Sequence, residues 1–534
     1  MSDTTEENVM LGTLRPKLLA FCFLTLPLGL PAQVAAQEAT FVFATSEVGV
    51  SSYNPIPATL TNAAFSLIYD TLVVQDNDLS FHPSLAESWE EAPDGMAWTF
   101  HLKSGVTFHN GKPFNAAAVV KWIELFRGSE NSYMIDAVAS VEAVDDVTVK
   151  FVMKQPEPNL LFNLSSSFMG IPEPDAVTEL GEDFGISEAP GTGPFKLESF
   201  AQGQETVLVR NDDYGWASPL STNKGPAHIA RVTFREIAED STAFLELKSG
   251  GVDALMSIPT DYLGEIKAEP SLAVAEMPGQ EVFYMAINVT KDPFTDIKVR
   301  QAAALAINQK EILDNVFAGY GKEAHNFLIS ALPESKLPAD ADITYDPAKA
   351  ATLLDEAGWT MGADGVRAKD GQRLSVALWT QSDSIFRRLT EVVQAELKAV
   401  GFEAEITTFD SSTIKDQFKT GEQQLAVRSY FWPNADIVDW FFSGERLGYP
   451  NVSMFNDPRA EELRVEAMTG SATQEERVEN FTAYHDYVTR QFPYAPIYQP
   501  VQNMAYNKDR IEMPAEINAT QITGVVMLDM MVKE

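Results

Sequence analysis

Apolar positions along this 534-residue chain follow two periods, one near 2 and one near 3.6. The run Thr40-Phe41-Val42-Phe43-Ala44 is continuously apolar and predicts a buried strand. Ala63, Ala64, Leu67 and Ile68 then fall on one helical face. Trp98-Thr99-Phe100-His101-Leu102 alternates and reads as a strand, introduced by the turn Pro93-Asp94-Gly95. Val147 to Val152 reads as another. A proline-rich loop region follows (Pro156, Pro158, Pro172, Pro174) and reaches Gly191-Thr192-Gly193-Pro194. The second half is more helical. Asn308 with Glu311 three residues on predicts a capped helix with Ile312, Leu313, Val316 and Phe317 on its apolar face and Gly319 as its stop. Asp346-Pro347 opens another, with Leu353 and Leu354 buried and Gly358 closing it. Ile385, Leu389, Val392, Val393, Leu397 and Val400 keep the 3.6 period up to Gly401, and the strand Ala404 to Phe409 follows. Helix, glycine, then strand marks an α/β protein. There is no internal repeat.

One segment is membrane-directed. Arg15 and Lys17 precede an apolar run from Leu18 to Leu30 that is short and broken by Pro27, and small residues follow at Val34-Ala35-Ala36. This pattern predicts a secretory signal peptide over residues 1–36, the alternative being an uncleaved anchor. The acidic leader leaves the start open between Met1 and Met10. The sole cysteine, Cys22, follows Phe21 inside the apolar run rather than a small residue at its end, so a lipoprotein is not expected. The mature chain would then carry no cysteine, hence no disulfide and no thiol chemistry.

Charge narrows the partners. There are 39 basic and 76 acidic side chains, a net charge of -37. Removing Arg15 and Lys17 with Asp3, Glu6 and Glu7 leaves 37 basic against 73 acidic, so the excess belongs to the mature chain. Such a surface opposes nucleic acid and anionic lipid and favours a soluble monomer. A hydrophobic content of 45% excludes disorder, and the length calls for at least two lobes. Catalytic signatures are missing: no G-x-S-x-G elbow, no H-E-x-x-H and no P-loop. No two of the six histidines fall within one helical turn. Neither a cofactor nor a metal is expected.

Several blocks carry a family resemblance. They are Ile68-Tyr69-Asp70-Thr71-Leu72-Val73, Pro83 to Trp89, Trp98-Thr99-Phe100, Leu102 to Phe114, Gly191 to Leu197, Val209 to Tyr214, Pro293 to Ala302, and Tyr345-Asp346-Pro347 through Gly358-Trp359. In this order the chain resembles family 5 of the bacterial extracellular solute-binding proteins, the peptide- and nickel-type receptors of ABC transporters. Ala116-Ala117-Ala118 departs from the family pattern at a position that reads as helix surface. The resemblance implies a type II-like periplasmic binding protein: two α/β lobes, an extra subdomain in lobe I, and a ligand cleft that closes about a hinge. Lobe I would comprise 37–82, 190–282 and 500–534, the subdomain 83–189 and lobe II 283–499. The hinge would lie near Phe283-Tyr284-Met285 and Ile497-Tyr498-Gln499-Pro500.

Candidate ligand-facing residues are Glu47, Ser51, Tyr53 and Asn54 after the first strand, and Arg428, Tyr430, Trp432, Asn434 and Asp436 in a second segment. Trp379 and Gln381 are added at the end of a lobe II strand. Aromatics suit stacking on a flat or apolar ligand, and Arg428 suits a carboxylate or a structural ion pair. Peptide receptors of the family hold the ligand's α-ammonium with an aspartate. The matching position here is Asn434, unless Asp436 takes the role or the alignment shifts by two. The expected function is a periplasmic receptor that captures a small organic solute, a di- or oligopeptide among the candidates, and delivers it to inner-membrane permease subunits. The alternatives are a nickel or metal-chelate receptor and, from another class, an exported hydrolase.

Overall fold

The computed structural model describes residues 40–45, 50–58, 61–256, 258–410, 413–471, 473–517 and 524–533. The expected signal peptide, its cleavage site, Cys22 and Glu47 lie outside the described residues. Three sheets organise the chain. The first has seven strands in the order Leu272–Met277, Gln502–Asn507, Ala254–Met256, Thr40–Thr45, Arg231–Glu236, Glu205–Arg210 and Phe195–Ala201. Thr40–Thr45 lies parallel to both its neighbours, which is why so apolar a run is buried at its centre. We call the unit built on this sheet lobe I. A four-stranded antiparallel sheet, Ala86–Glu91, Ala97–Leu102, Thr148–Met153 and Val138–Asp145, forms the subdomain. Lobe II is built on six strands: Lys322–Glu323, Tyr494–Gln499, Glu281–Ile287, Leu425–Phe431, Ser375–Gln381 and Glu403–Phe409. No helix among the described residues is long and apolar enough to cross a membrane.

Local signals place the helices. Asn308 Oδ1 accepts the Glu311 N–H at 3.1 Å, Asp346 Oδ1 accepts that of Lys349 at 2.9 Å, and Asp296 Oδ1 that of Lys298 at 2.9 Å. Helices Gln309–Val316, Pro347–Glu356 and Ile297–Leu305 follow these caps. The period read from Ile385 to Val400 becomes helix Ser384–Ala399, with Leu389, Val393 and Leu397 buried. Ala116 differs from its surface reading: it is fully buried in the subdomain core, and only Ala117 of the three faces solvent.

Two boundaries also differ from expectation. The subdomain core gathers Leu72, Val73 and Leu85 and ends at Ile171, whereas Ala176, Phe184 and Ala189 pack into lobe I. Phe283, Tyr284 and Met285, expected near the hinge, lie a few residues past the crossing itself. They sit inside strand Glu281–Ile287, buried between two neighbours. The chain crosses between the lobes just before that strand, at Pro278-Gly279-Gln280, and again at Pro500-Val501. The two crossings touch, since a Cβ on Gly279 would stand 1.5 Å from the Pro500 carbonyl oxygen. Gln499 Nε2 donates to the Gly279 carbonyl at 3.0 Å and fastens them together.

Candidate functional site: the cleft between the lobes

In an extended strand successive side chains point to opposite faces. Along Leu425–Phe431, Ser429 and Phe431 therefore share one face, and Arg428 and Tyr430 the other. The antiparallel partner sets Glu281 opposite Phe431 and Phe283 opposite Ser429. Glu281, Phe283 and Phe431 line a cavity of about 1010 Å³. Lobe I closes it with Asn62, Ser66, Asp70 and Asp261, the subdomain with Phe162 and Ser165 to Phe168, and the crossings with Gly279 and Pro500. Trp432 and Pro433, just past the strand, complete the lobe II wall. Every part of the fold contributes to one concave, partly aromatic space, the form of a small-molecule site.

Contacts bridge the cleft on both sides. At one side Arg388 Nη1 of lobe II donates to both Asp261 carboxylate oxygens of lobe I, at 2.9 and 3.0 Å. Lys267 Nζ stands 4.3 Å from the centre of the Tyr320 ring. At the other side the subdomain meets lobe II. Asn159 Nδ2 donates to Asp436 Oδ2 at 3.2 Å and Asn434 Nδ2 to Asn159 Oδ1 at 2.6 Å, while Phe162 packs edge-on to Trp432 with centroids 5.3 Å apart. The Arg388–Asp261 pair is partly exposed, so its worth is modest. Arg388→Ala is expected to weaken solute binding by less than about tenfold, with the salt dependence of binding reduced; titration at two ionic strengths checks it.

Behind Trp432 lies a buried polar platform. Trp432 Nε1 donates to Asp436 Oδ1 at 2.6 Å. Arg477 Nη2 donates to Asn434 Oδ1, and its Nη1 to Glu334 Oε1 at 3.0 Å. Burial pushes the carboxyls of Asp436 and Glu334 up, and Arg477 opposes that shift in both. His485 completes the platform. The Phe327 N–H donates to its Nε2 at 3.3 Å, so Nδ1 carries the proton and donates to the Glu334 carbonyl at 3.1 Å. Burial holds this imidazole at about 4. A depressed histidine withholds a proton that the unfolded chain accepts, so stability is lost as pH falls from about 6.5 to about 4. His485→Gln keeps a donor and an acceptor but does not titrate. Between pH 7 and 4.5 it should lose less stability than the parent by on the order of 2–3 kcal/mol, read by urea unfolding.

The expected site residues divide. Trp432 lies on the cleft wall, while Asn434 and Asp436 lie behind it in the platform. Glu47 lies outside the described residues, and Ser51, Tyr53, Asn54, Trp379, Gln381, Arg428 and Tyr430 are placed away from the cleft, which corrects their expected exposure to ligand. Tyr53 is a core residue of lobe I: it packs against Phe65 and Phe200, and its hydroxyl meets Thr206 Oγ1 at 2.7 Å. Its backbone is fixed by a hydrogen bond from its N–H to the Gly185 carbonyl. Asn54 is buried and caps a turn by accepting the Ile56 N–H, and Ser51 is exposed. Trp379 packs against Phe409 and Phe418, and Gln381 is half-buried at the end of its strand, off the wall. Arg428 and Tyr430 are on the wrong face of their strand. The Arg428 guanidinium lies over the Phe418 and Tyr449 rings, and the Tyr430 hydroxyl donates to the Phe327 carbonyl. Phe431, Phe283 and Glu281 take the wall positions instead. The signal was available: Glu281 is the one charge opening the apolar run Val282 to Ile287, and Phe431 is one residue out of phase with Tyr430.

Among the described residues one group has metal-ligand geometry, Asp76, Asp78 and His82, with ligand atoms within 4.8 Å. It lies on the surface, outside the cleft. Ser80 Oγ already donates to Asp78 and meets His82 Nε2 at 3.0 Å.

Two α/β lobes joined by paired crossings around one cavity define a receptor for a solute. Residues 80–446 match the model of the bacterial extracellular solute-binding proteins, family 5, and the chain belongs to that family. It is 28% identical over 494 residues to heme-binding protein A of Haemophilus influenzae, covering 86% of each chain. It is 29% identical over 458 residues to the dipeptide-binding protein of Escherichia coli, covering 78% of this chain and 81% of that one. NikA from Brucella suis in complex with Fe(III)-EDTA superposes with a TM-score of 0.81 at 25% identity, covering 92% of this chain and all of that one. The fold is that of the periplasmic binding proteins, as the resemblance implied, and the chain is a solute-binding protein of the ABC-importer class.

Proposed function

We propose that the chain captures a small organic solute in the interlobe cleft within the periplasm and hands it to the permease subunits of an ABC importer. The observation that carries the reading is the cavity itself, walled by lobe I, the subdomain and lobe II together. Contacts such as Arg388–Asp261 and Phe162–Trp432 are made only when these walls are close, so they favour the closed state that a bound solute would select. A short peptide is one solute class, in keeping with the name of the Escherichia coli relative. A metal chelate is the second reading, supported by the chelate in the Brucella suis structure. The described wall offers carboxylates and no histidine, so a chelate would be held by its organic shell and not by direct ligation. Binding without chemical change is the activity, and no hydrolytic centre is proposed.

Protein purified without denaturation should release a small molecule near one equivalent when unfolded, read by mass spectrometry. The released mass decides between peptide and chelate. Conversion of the solute by the protein would contradict a pure receptor.

A further inference from the structure

The cleft wall is one-sided in charge. Asp70, Asp240, Asp261, Glu281 and Asp383 line it, and Arg388 is the single basic side chain among the described lining residues. Arg388 is already held by both Asp261 oxygens, which balances its charge inside the protein. Asp70 is committed as well. It accepts from Thr192 Oγ1 at 3.0 Å, Tyr214 Oη at 3.2 Å and Trp216 Nε1 at 3.0 Å. Asp240, Glu281 and Asp383 have no salt bridge to any described residue. A solute bringing a carboxylate would therefore bury it beside acids, with no uncommitted cation among the described lining residues, a large cost. A solute bringing an ammonium would find its counter-charge in place.

Glu281 has the surroundings to be that counter-charge. It is flanked on its own face by Phe283 and faces Phe431 directly across the strand pair. Phe431 is 57% exposed, an unusual position for a phenylalanine on a sheet, and the exposed surface is cleft wall. A carboxylate beside an open aromatic face suits an organic cation, which gains from both. Burial raises the Glu281 carboxyl above its ordinary value against one hydrogen bond from the Ser429 side chain, which leaves room for a cation alongside that would oppose the rise. Asp436 is not available for the task, because Trp432 Nε1 and Asn159 Nδ2 occupy its two oxygens behind the wall.

We propose that the solute carries an ammonium group on an apolar or aromatic body, with Glu281 as its counter-ion and Phe431 as the ring against which it lies. This rests on the reading of the cleft as the solute site. The N-terminus of a short peptide and a free arylalkylamine share this chemistry. Three probes separate the cases, titrated while tryptophan fluorescence is followed: 2-phenylethylamine, Phe-Phe amide and N-acetyl-Phe-Phe. Saturable binding of the amide alone identifies a peptide ammonium, and binding of both cations identifies the ammonium itself as sufficient. In either case Glu281→Gln should weaken binding by at least about tenfold, and the exposed Phe431→Ala should do so with no change in thermal unfolding. N-acetyl-Phe-Phe binding as tightly as the amide would overturn the proposal, as would full affinity in a folded Glu281→Gln variant or no saturation by either cation. An anionic or neutral molecule released from the purified protein would also overturn it, yet would leave the solute-receptor reading standing.

Discussion

Trp432→Ala should weaken solute binding by about 100-fold, the loss expected when a central buried aromatic anchor is removed from a binding surface. Trp432 does three things at once. Its ring is cleft wall, its edge contact with Phe162 joins lobe II to the subdomain, and its Nε1 occupies one oxygen of the half-buried Asp436. Alanine removes all three. Trp432→Phe keeps a ring for Phe162 and the cleft but leaves Asp436 short of a donor, so its affinity should fall between the two. Calorimetric titration of the three proteins with the co-purifying solute checks the order. Unchanged affinity in the alanine variant would remove Trp432 from the site.

The second large effect falls on stability. Arg477 and Glu334 are both almost wholly buried and meet at 3.0 Å. Arg477→Met would leave the Glu334 carboxylate buried without its cation, a change that costs about 3–5 kcal/mol. It would also free Asn434 from the donor that holds it. The double variant Arg477→Met/Glu334→Gln removes both charges and should regain most of the loss, because the penalty lies in the orphaned charge and not in the missing attraction. Calorimetric unfolding of single and double variants measures this. Equal destabilisation in both would show that Arg477 acts through packing, with its guanidinium 4.5 Å from the Phe481 ring centre.

Much of the scaffold was legible because its determinants are local. Asn308, Asp346 and Asp296 each bond a backbone N–H two or three residues on, so a window of a few residues contains cause and effect. The candidate site was legible only as a segment. The stretch from Arg428 to Asp436 does reach the cleft, yet which side of Leu425–Phe431 faces it depends on register with Glu281–Ile287, nearly 150 residues earlier. With side chains alternating, a wrong phase turns Tyr430 and Arg428 into wall residues and hides Phe431. Asn434 and Asp436 read from the sequence as alternatives for the position that holds a peptide ammonium. Their partners Asn159 and Arg477 lie far away in sequence, so their role behind Trp432 had no local signature. Of the two expected hinge segments, the one ending at Pro500 reaches a crossing, while the one at Phe283 to Met285 falls a few residues past the other for a related reason. Phe283 to Met285 are apolar enough for either a buried strand or a strand end, and the contact of Gly279 with Pro500 that marks the crossing is long-range.

Closure of the lobes on a solute held between them is tested most directly as a distance. The mature chain's expected lack of cysteine allows two spin labels to be placed without background, at Ser249→Cys in lobe I and Lys398→Cys in lobe II, both exposed. The distance between them is measured by pulsed electron resonance, first on protein stripped of solute by unfolding and refolding, then after the released small-molecule fraction is returned. A broader, differently centred distribution is expected without solute, collapsing to one narrow distance with it. Identical distributions under saturating binding would contradict it.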